Sequence, residues 1–328
     1  MLSLTDVNFS YSQQTILQSI SFSVEPGKLV ALIGKSGAGK STLLSLIHGN
    51  LQPDSGNVLW KNEKIHDPSR HLVAQHKYIK YLTQEFNVMP YTTVSENIKE
   101  HLSRMFPEQN EDICQRLLKV VNLQDFANVK VKLLSGGQKQ RVALAKVLAK
   151  KPALLLLDEP FSHIDVLQRN QLRRNLFTYL KEEKITCVFA THDPDDFLSF
   201  ADNCLVLQTG KLEDYRPMQE MYNSPKSIVT ASLLGEVNTV SAAMLQWDEK
   251  FPKASFLVYP HEIHLSKKSS VEVEIVANYF KGSHFLVEAN CSNQQLFFHH
   301  PSALPKKSLQ KIGFNFPIEQ RKITLTSS

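Results

Sequence analysis

Apolar and polar residues alternate along Leu2 to Tyr11 and again along Ile20 to Val24, the two-residue period of strands buried on one face. Leu29-Val30-Ala31-Leu32-Ile33 is instead a continuous apolar run ending at Gly34, the pattern of a strand covered on both faces. Leu154 to Leu157, Ile185 to Ala190 and Cys204 to Gln208 read as further buried strands. Between them the period changes to that of helices. Thr42 to Leu51, Asp112 to Val121, Gln138 to Lys150 and Asp165 to Leu180 each carry an apolar stripe, with Leu172, Leu176, Phe177 and Leu180 on the inner side of the last. Buried strands alternating with helices predict an α/β fold with a largely parallel core sheet.

After about Leu233 the helical period fades. Short strand-like runs replace it: Ser255 to Tyr259, Val271 to Tyr279, His284 to Ala289, Gln295 to His299 and Ile323 to Thr326. They predict a small all-β domain, a barrel or sandwich. The expected division is a domain over residues 1–230, a linker from Asn223-Ser224-Pro225 to Gly235, and a second domain over residues 235–328.

Length and composition add bounds. A chain of 328 residues is long enough for two cores, and 42% hydrophobic with 21% charged residues is ordinary for a soluble globular protein. The net charge of +5 is spread along the chain without a basic tract, so it permits a phosphate ligand without arguing for nucleic acid. Cys114, Cys187, Cys204 and Cys291 are scattered and form no C-x-x-C pair, as reduced thiols of a cytosolic protein would be. The first residues carry neither a basic segment nor an apolar one, and no apolar run is long enough to cross a bilayer. Any action at a membrane is therefore expected to pass through a partner.

The chemistry begins where the first buried strand ends. Gly34-Lys35-Ser36-Gly37-Ala38-Gly39-Lys40-Ser41-Thr42 fits G-x-x-x-x-G-K-[ST] between a strand and a helix. Its glycines let the backbone turn tightly around phosphate oxygens, and successive N–H groups and the helix N-terminus face the anion. Lys40 supplies a charge for the β- and γ-phosphates, Ser41 a hydroxyl for Mg²⁺, and Thr42 reaches the α-phosphate. Downstream, the apolar run Leu154 to Leu157 ends in Asp158-Glu159-Pro160. A buried strand ending in carboxylates delivers them to the carboxyl edge of the sheet, where α/β ligands sit. Asp158 is the expected outer partner of Mg²⁺, and Glu159 the general base or water-positioning group for attack on a γ-phosphate.

Between these motifs, Leu134-Ser135-Gly136-Gly137-Gln138-Lys139-Gln140-Arg141 opens a helix and so makes a second anion-facing N-terminus without a lysine. The economical explanation is that it addresses a nucleotide held by another subunit. In the order and spacing of these motifs, over roughly residues 1–225, the chain resembles the ABC ATPase family, whose signature is L-S-G-G-Q. The resemblance implies a P-loop ATPase domain with a helical subdomain, working as a homodimer on ATP and Mg²⁺. Two copies would sandwich two ATP molecules head to tail, each between Gly34–Thr42 of one copy and Ser135, Gly136, Gly137 and Gln138 of the other. It also implies that Tyr11 stacks on adenine, that Gln84 touches Mg²⁺ and the attacking water, that His192 in Ala190-Thr191-His192-Asp193 contacts the γ-phosphate, and that Asp165 lies at the dimer contact. Phe161-Ser162-His163-Ile164-Asp165 departs from the family pattern at His163.

The C-terminal segment resembles the oligonucleotide-binding-like domain found in the ATPases of bacterial importers for polyamines, ferric iron, molybdate, sulfate and sugars. The stretch Val258-Tyr259-Pro260-His261-Glu262-Ile263 carries the likeness, with Tyr259 where arginine is common. The implied role is to energise a solute importer from the cytoplasmic face of the inner membrane, with integral permease subunits, a solute-binding protein and no direct nucleic acid. A soluble ABC ATPase acting on nucleic acid or the ribosome, and an exporter ATPase, are the alternatives. Phe86, Val88, Met89 and Tyr91 would either receive a helix of the membrane partner or pack as subdomain core.

Overall fold

The computed structural model describes all residues except 66–77, 84–86, 163, 246–249, 251–253, 292–293 and 324–328. The chain divides into two compact units, residues 1–218 and 219–328.

The first unit runs β1 (Leu2–Tyr11), β2 (Gln14–Val24), β3 (Leu29–Ile33), α1 (Lys40–His48), β4 (Ser55–Trp60), β5 (Glu63–Lys64), β6 (Ile79–Leu82), α2 (Val94–Lys99), α3 (Pro107–Val120), α4 (Gly136–Leu148), β7 (Leu154–Asp158), α5 (Val166–Glu182), β8 (Thr186–Ala190), α6 (Pro194–Phe200), β9 (Asn203–Gln208) and β10 (Lys211–Pro217). Its central sheet has the order β10-β9-β3-β8-β7-β6. All pairs are parallel except β9 with β10. Each of β3, β7 and β8 is buried at every position, as the continuous apolar runs predict. Leu154 to Leu157 are fully buried, which at roughly 1.5–3 kcal/mol per side chain makes this strand a main source of the unit's stability. An antiparallel sheet, β2-β1-β4-β5, completes the strands. The helices α2 and α3 both pack on α4 and form the helical part.

Several boundaries differ from expectation. The helix expected to run to Leu51 stops at His48, because Gly49 takes a left-handed conformation (φ 87°) whose N–H closes on the carbonyls of Ser45 and Leu46. Strand β2 starts at Gln14 rather than Ile20, since antiparallel pairing with β1 carries the polar stretch Gln14 to Ser19 into the sheet. The α4 helix begins at Gly136, capped by Ser135, before the expected start at Gln138.

The second unit contains α7 (Met218–Asn223), α8 (Ile228–Leu234), β11 (Asn238–Ser241), β12 (Ser255–Val258), β13 (Ile263–Leu265), β14 (Glu272–Phe280), β15 (Phe285–Cys291), β16 (Gln294–His300), β17 (Leu309–Phe314), α9 (Ile318–Arg321) and β18 (Lys322–Ile323). The stretch expected as a linker thus holds the helix α8. The strands form two antiparallel sheets, β11-β12-β18 and β13-β17-β14-β15-β16, around one apolar core. Of the run expected from Ile323 to Thr326, only Ile323 lies within the described residues. Tyr259, where the family often has arginine, is 1% exposed, and a guanidinium arrives beside it from elsewhere in the chain. Arg321 lies 4.4 Å over the Tyr259 ring and donates to the Glu262 carboxylate at 3.0 Å.

Candidate functional site

The turn between β3 and α1 cannot be built from ordinary residues. A Cβ on Gly34 would stand 2.2 Å from the Leu207 carbonyl oxygen of the neighbouring strand β9. Gly39, at φ 101°, caps α1 in the left-handed region. The result is a loop that passes close to the sheet and delivers the N-terminus of α1 to a cleft of about 580 Å³. Gly34, Ser36, Gly37, Gly39, Lys40, Ser41 and Thr42 line one side of that cleft, and Asp158, Glu159 and His192 face them. The helix N-terminus and the backbone N–H groups of the loop make this side an anion site. The Lys40 ammonium folds back onto the carbonyls of Gly34 (2.8 Å) and Lys35 (3.2 Å). Burial depresses its pKa, and the carboxylates of Glu159 and Asp158 oppose that shift.

The acidic side is assembled by strand order. Because β7 and β8 are parallel neighbours in the sheet, their carboxyl ends lie side by side and bring Glu159 next to His192. His192 Nδ1 and Glu159 Oε1 are 3.1 Å apart. Glu159 sits at φ 48°, a conformation a side-chain-bearing residue rarely adopts, and its N–H donates to the Ala190 carbonyl at 3.0 Å. Asp158 is 5% exposed and accepts from the Tyr81 hydroxyl at 3.3 Å. Burial, then the Asp158 charge, push the Tyr81 phenol well above its ordinary pKa, so it remains a donor.

The loop bearing His192 is held by an ionic clamp that the sequence reading did not find. Arg173, on α5, pairs with Asp193 and Asp196 on either side of Pro194. Asp196 accepts from the Thr191 hydroxyl at 2.5 Å, and Asp193 caps α6 through the Asp195 N–H. Burial raises the Asp196 carboxyl pKa. Burial works in the same direction on Asp193, but the Asp195 N–H and Arg173 outweigh it and hold that carboxyl below its usual range. A signal was present: Arg173 stands on the same helical stripe as Phe177 and Leu180, and a charge there must be paired.

The remaining expected residues fall outside the cleft. Ser135 caps α4 through a reciprocal pair, accepting from Gln138 N (3.3 Å) while its own N–H donates to Gln138 Oε1 (2.9 Å). Ser135 and Gly136 are exposed and Gly137 and Gln138 half-buried, and among the described residues the cleft lining includes none of them. Asp165 caps α5 by accepting from Gln168 N at 3.0 Å. Tyr11 ends β1 half-exposed, edge-on to Phe9, and Ala38 is buried behind the loop. Gln84 and His163 lie outside the described residues, as does Phe86. Tyr91 is 73% exposed and so is not core, while Val88 and Met89 are half-buried. Ile16, which lines the cleft, and Gln140, which reaches the backbone of Glu159, were not foreseen.

Three comparisons bear on this geometry. The family model described as "ABC transporter" matches residues 17–162. A spermidine/putrescine import ATP-binding protein of Pasteurella multocida is 33% identical over 259 residues, covering 78% of this chain and 69% of that protein. An Fe(3+) ions import ATP-binding protein of Haemophilus influenzae is 34% identical over 247 residues, covering 75% and 69%. Among solved structures, an ATP-binding cassette crystallised as a dimer in a post-hydrolysis state with ADP and Pi superposes with a TM-score of 0.59 at 29% identity, covering 66% of this chain and 99% of that one. The protein cbiO1 of Clostridium perfringens, part of the ABC transporter complex cbiONQ, gives 0.61 at 25%, covering 76% and 95%.

Proposed function

The chain belongs to the ABC transporter family of ATP-binding subunits, and on that premise we propose that it hydrolyses ATP at this cleft to energise a solute importer. The observation that carries the reading is the confrontation across one cleft of Lys40 and the α1 N-terminus with Asp158, Glu159 and His192. It puts phosphate-binding groups opposite a carboxylate already paired to an imidazole.

Phosphoryl transfer needs position and charge compensation more than covalent chemistry. Loop N–H groups and Lys40 hold the β- and γ-phosphates and offset the charge that develops on them. Glu159 orients the attacking water and takes its proton, while His192, at 3.1 Å, fixes the carboxylate and faces the γ-phosphate. The donor set suits Mg²⁺: a Ser41 hydroxyl and a buried Asp158 carboxylate are hard oxygen ligands, and this ion commonly takes one or two such groups plus phosphate oxygens. Ser41 would hold it directly, Asp158 through water, and Gln84 would complete the set. When bound, it neutralises charge on the transferring phosphoryl group.

Ser135 to Gln138, outside the cleft lining with Ser135 and Gly136 exposed, would meet the ATP of a second copy, with Tyr11 on the adenine and Asp165 at the dimer contact. Closing on ATP and opening after hydrolysis would then drive integral permease subunits at the cytoplasmic face of the membrane, fed by a solute-binding protein. The relatives are named for unlike solutes, a polyamine and a ferric ion, on the same ATPase frame, which supports the reading that solute choice lies in the partner subunits.

Glu159→Gln tests the chemistry. It should keep ATP binding and ATP-dependent dimer formation and lose at least about 100-fold in turnover, the scale of general-base assistance. Turnover at the wild-type rate would reject Glu159 as the base.

A further inference from the structure

We infer that Gln140 is a positioning residue whose side-chain amide ties the signature helix α4 to the backbone of Glu159 in the same chain. What engages the start of α4 is thereby felt at the carboxylate that activates water. The inference rests on the reading above, in which Glu159 is the base and Ser135 to Gln138 address the ATP of a second copy.

Gln140 is 2% exposed, and its Nε2 donates to the Glu159 carbonyl oxygen at 3.2 Å. The same oxygen accepts from the Ser162 hydroxyl at 3.1 Å and Ser162 N at 3.3 Å. On the other side of its Cα, the Glu159 N–H is held by Ala190 at 3.0 Å. Both peptide planes of this residue are therefore pinned, and they have to be, because at φ 48° the backbone has no intrinsic preference for staying there. The carboxylate's aim at His192 follows from that conformation. A left-handed residue relaxing toward the helical or extended region would swing its side chain out of the cleft.

The other end of the tie is equally fixed. Gln140 stands little more than one turn after Ser135, about 7.5 Å along the helix axis. Arg141, the next residue, is 5% exposed and donates to the carbonyls of Val121 (3.3 Å) and Asn122 (3.0 Å), locking the same turn of α4 to the end of α3. A displacement of the N-terminal turn of α4 would therefore be carried along the helix to Gln140. In a head-to-tail dimer each α4 would touch the partner's nucleotide at one end and its own Glu159 at the first buried turn. The tie thus links the two composite sites.

The test uses steady-state ATP hydrolysis by the full-length protein. Gln140→Met keeps length and loses the donor. We expect kcat to fall about 10-fold, KM for ATP to stay within about twofold, and the Hill coefficient for ATP to drop toward 1, the pattern of a contact made for the transition state rather than for binding. Gln140→Glu supplies a second readout. A protonated carboxyl donates an O–H to the Glu159 oxygen and a carboxylate cannot, so its kcat relative to Gln140→Met should rise as pH falls from about 8 to about 6, given the raised pKa of a buried acid. Wild-type kcat and cooperativity in Gln140→Met, or a flat ratio between the two variants across that range, would overturn the inference. Wild-type turnover in Glu159→Gln would instead overturn the reading beneath it, so the two failures are distinguishable.

Discussion

Replacing Arg173 by Met removes a buried cation that holds the His192 loop, and the consequence can be worked out group by group. The Arg173 side chain is 4% exposed and serves both Asp193 and Asp196, with its guanidinium 5.8 Å from the Phe161 ring. Breaking a buried pair by deleting one partner costs about 3–5 kcal/mol, because a desolvated charge is left behind. Two features place this case at the lower end, near 3 kcal/mol: Asp193 is 27% exposed, and Arg169 remains 3.4 Å from it. Asp196, 2% exposed, keeps the Thr191 hydroxyl among the described residues. The deficit should depend on pH. The Asp193 carboxyl is held below its ordinary pKa, so its contribution is present above the unfolded value and lost as pH falls. The Asp196 carboxyl is already raised by burial and rises further without Arg173, so its cost is greatest when ionised and disappears on protonation. The Asp196 effect makes the variant worst at neutral pH and brings it progressively closer to wild type as pH falls toward about 4, and the Asp193 effect adds to this only below the ordinary aspartate pKa of about 3.9. Urea denaturation of the first unit at several pH values measures this, and Arg173→Met/Asp196→Asn should recover at least about 1 kcal/mol of the loss. Turnover should fall with little change in KM as the His192 loop loosens. A deficit under about 1 kcal/mol, or one independent of pH, or no recovery in the double variant, would refute the clamp.

Gly34→Ala would force a methyl group to 2.2 Å from the Leu207 carbonyl. The loop must shift, and we expect saturable ATP binding to be lost in a nucleotide titration while stability falls by roughly 1–3 kcal/mol. In the second unit, Arg321→Met leaves the Glu262 carboxylate, which is 9% exposed, without its cation and with the Tyr259 N–H at 2.7 Å as a remaining donor. Melting of residues 219–328, followed by hydrogen exchange at the Ser255–Val258 strand, should report a loss of about 3–5 kcal/mol, partly recovered by adding Glu262→Gln.

Much of this protein was legible along the chain, and the reason is the same for each legible part. Phosphate recognition between Gly34 and Thr42 is done by one contiguous loop and the helix it opens, so spacing alone encodes it. The helix opening signalled by Leu134 to Arg141 is likewise local, and the structure closes it with the Ser135–Gln138 cap within four residues. Buried strands such as Leu154 to Leu157 announce themselves because both faces must be apolar. Where local geometry competes, sequence periodicity misjudged the ends: a left-handed Gly49 stopped α1 early, and pairing with β1 drew a polar stretch into β2.

Contacts between distant segments were decided by the tertiary structure. Tyr81 reaches Asp158 because β6 and β7 are neighbours in register, and Glu159 meets His192 because β7 and β8 are. Arg173 finds Asp193 and Asp196 across the gap between α5 and α6, and Arg321 finds Glu262 from the far end of the second unit. A stripe position can say that Arg173 needs a partner, and a motif can say that Glu159 will face a phosphate. Which side chain answers each depends on strand order and on the angle at which helices cross the sheet. These follow from the packing of the whole core, since no short segment carries the free energy that selects them.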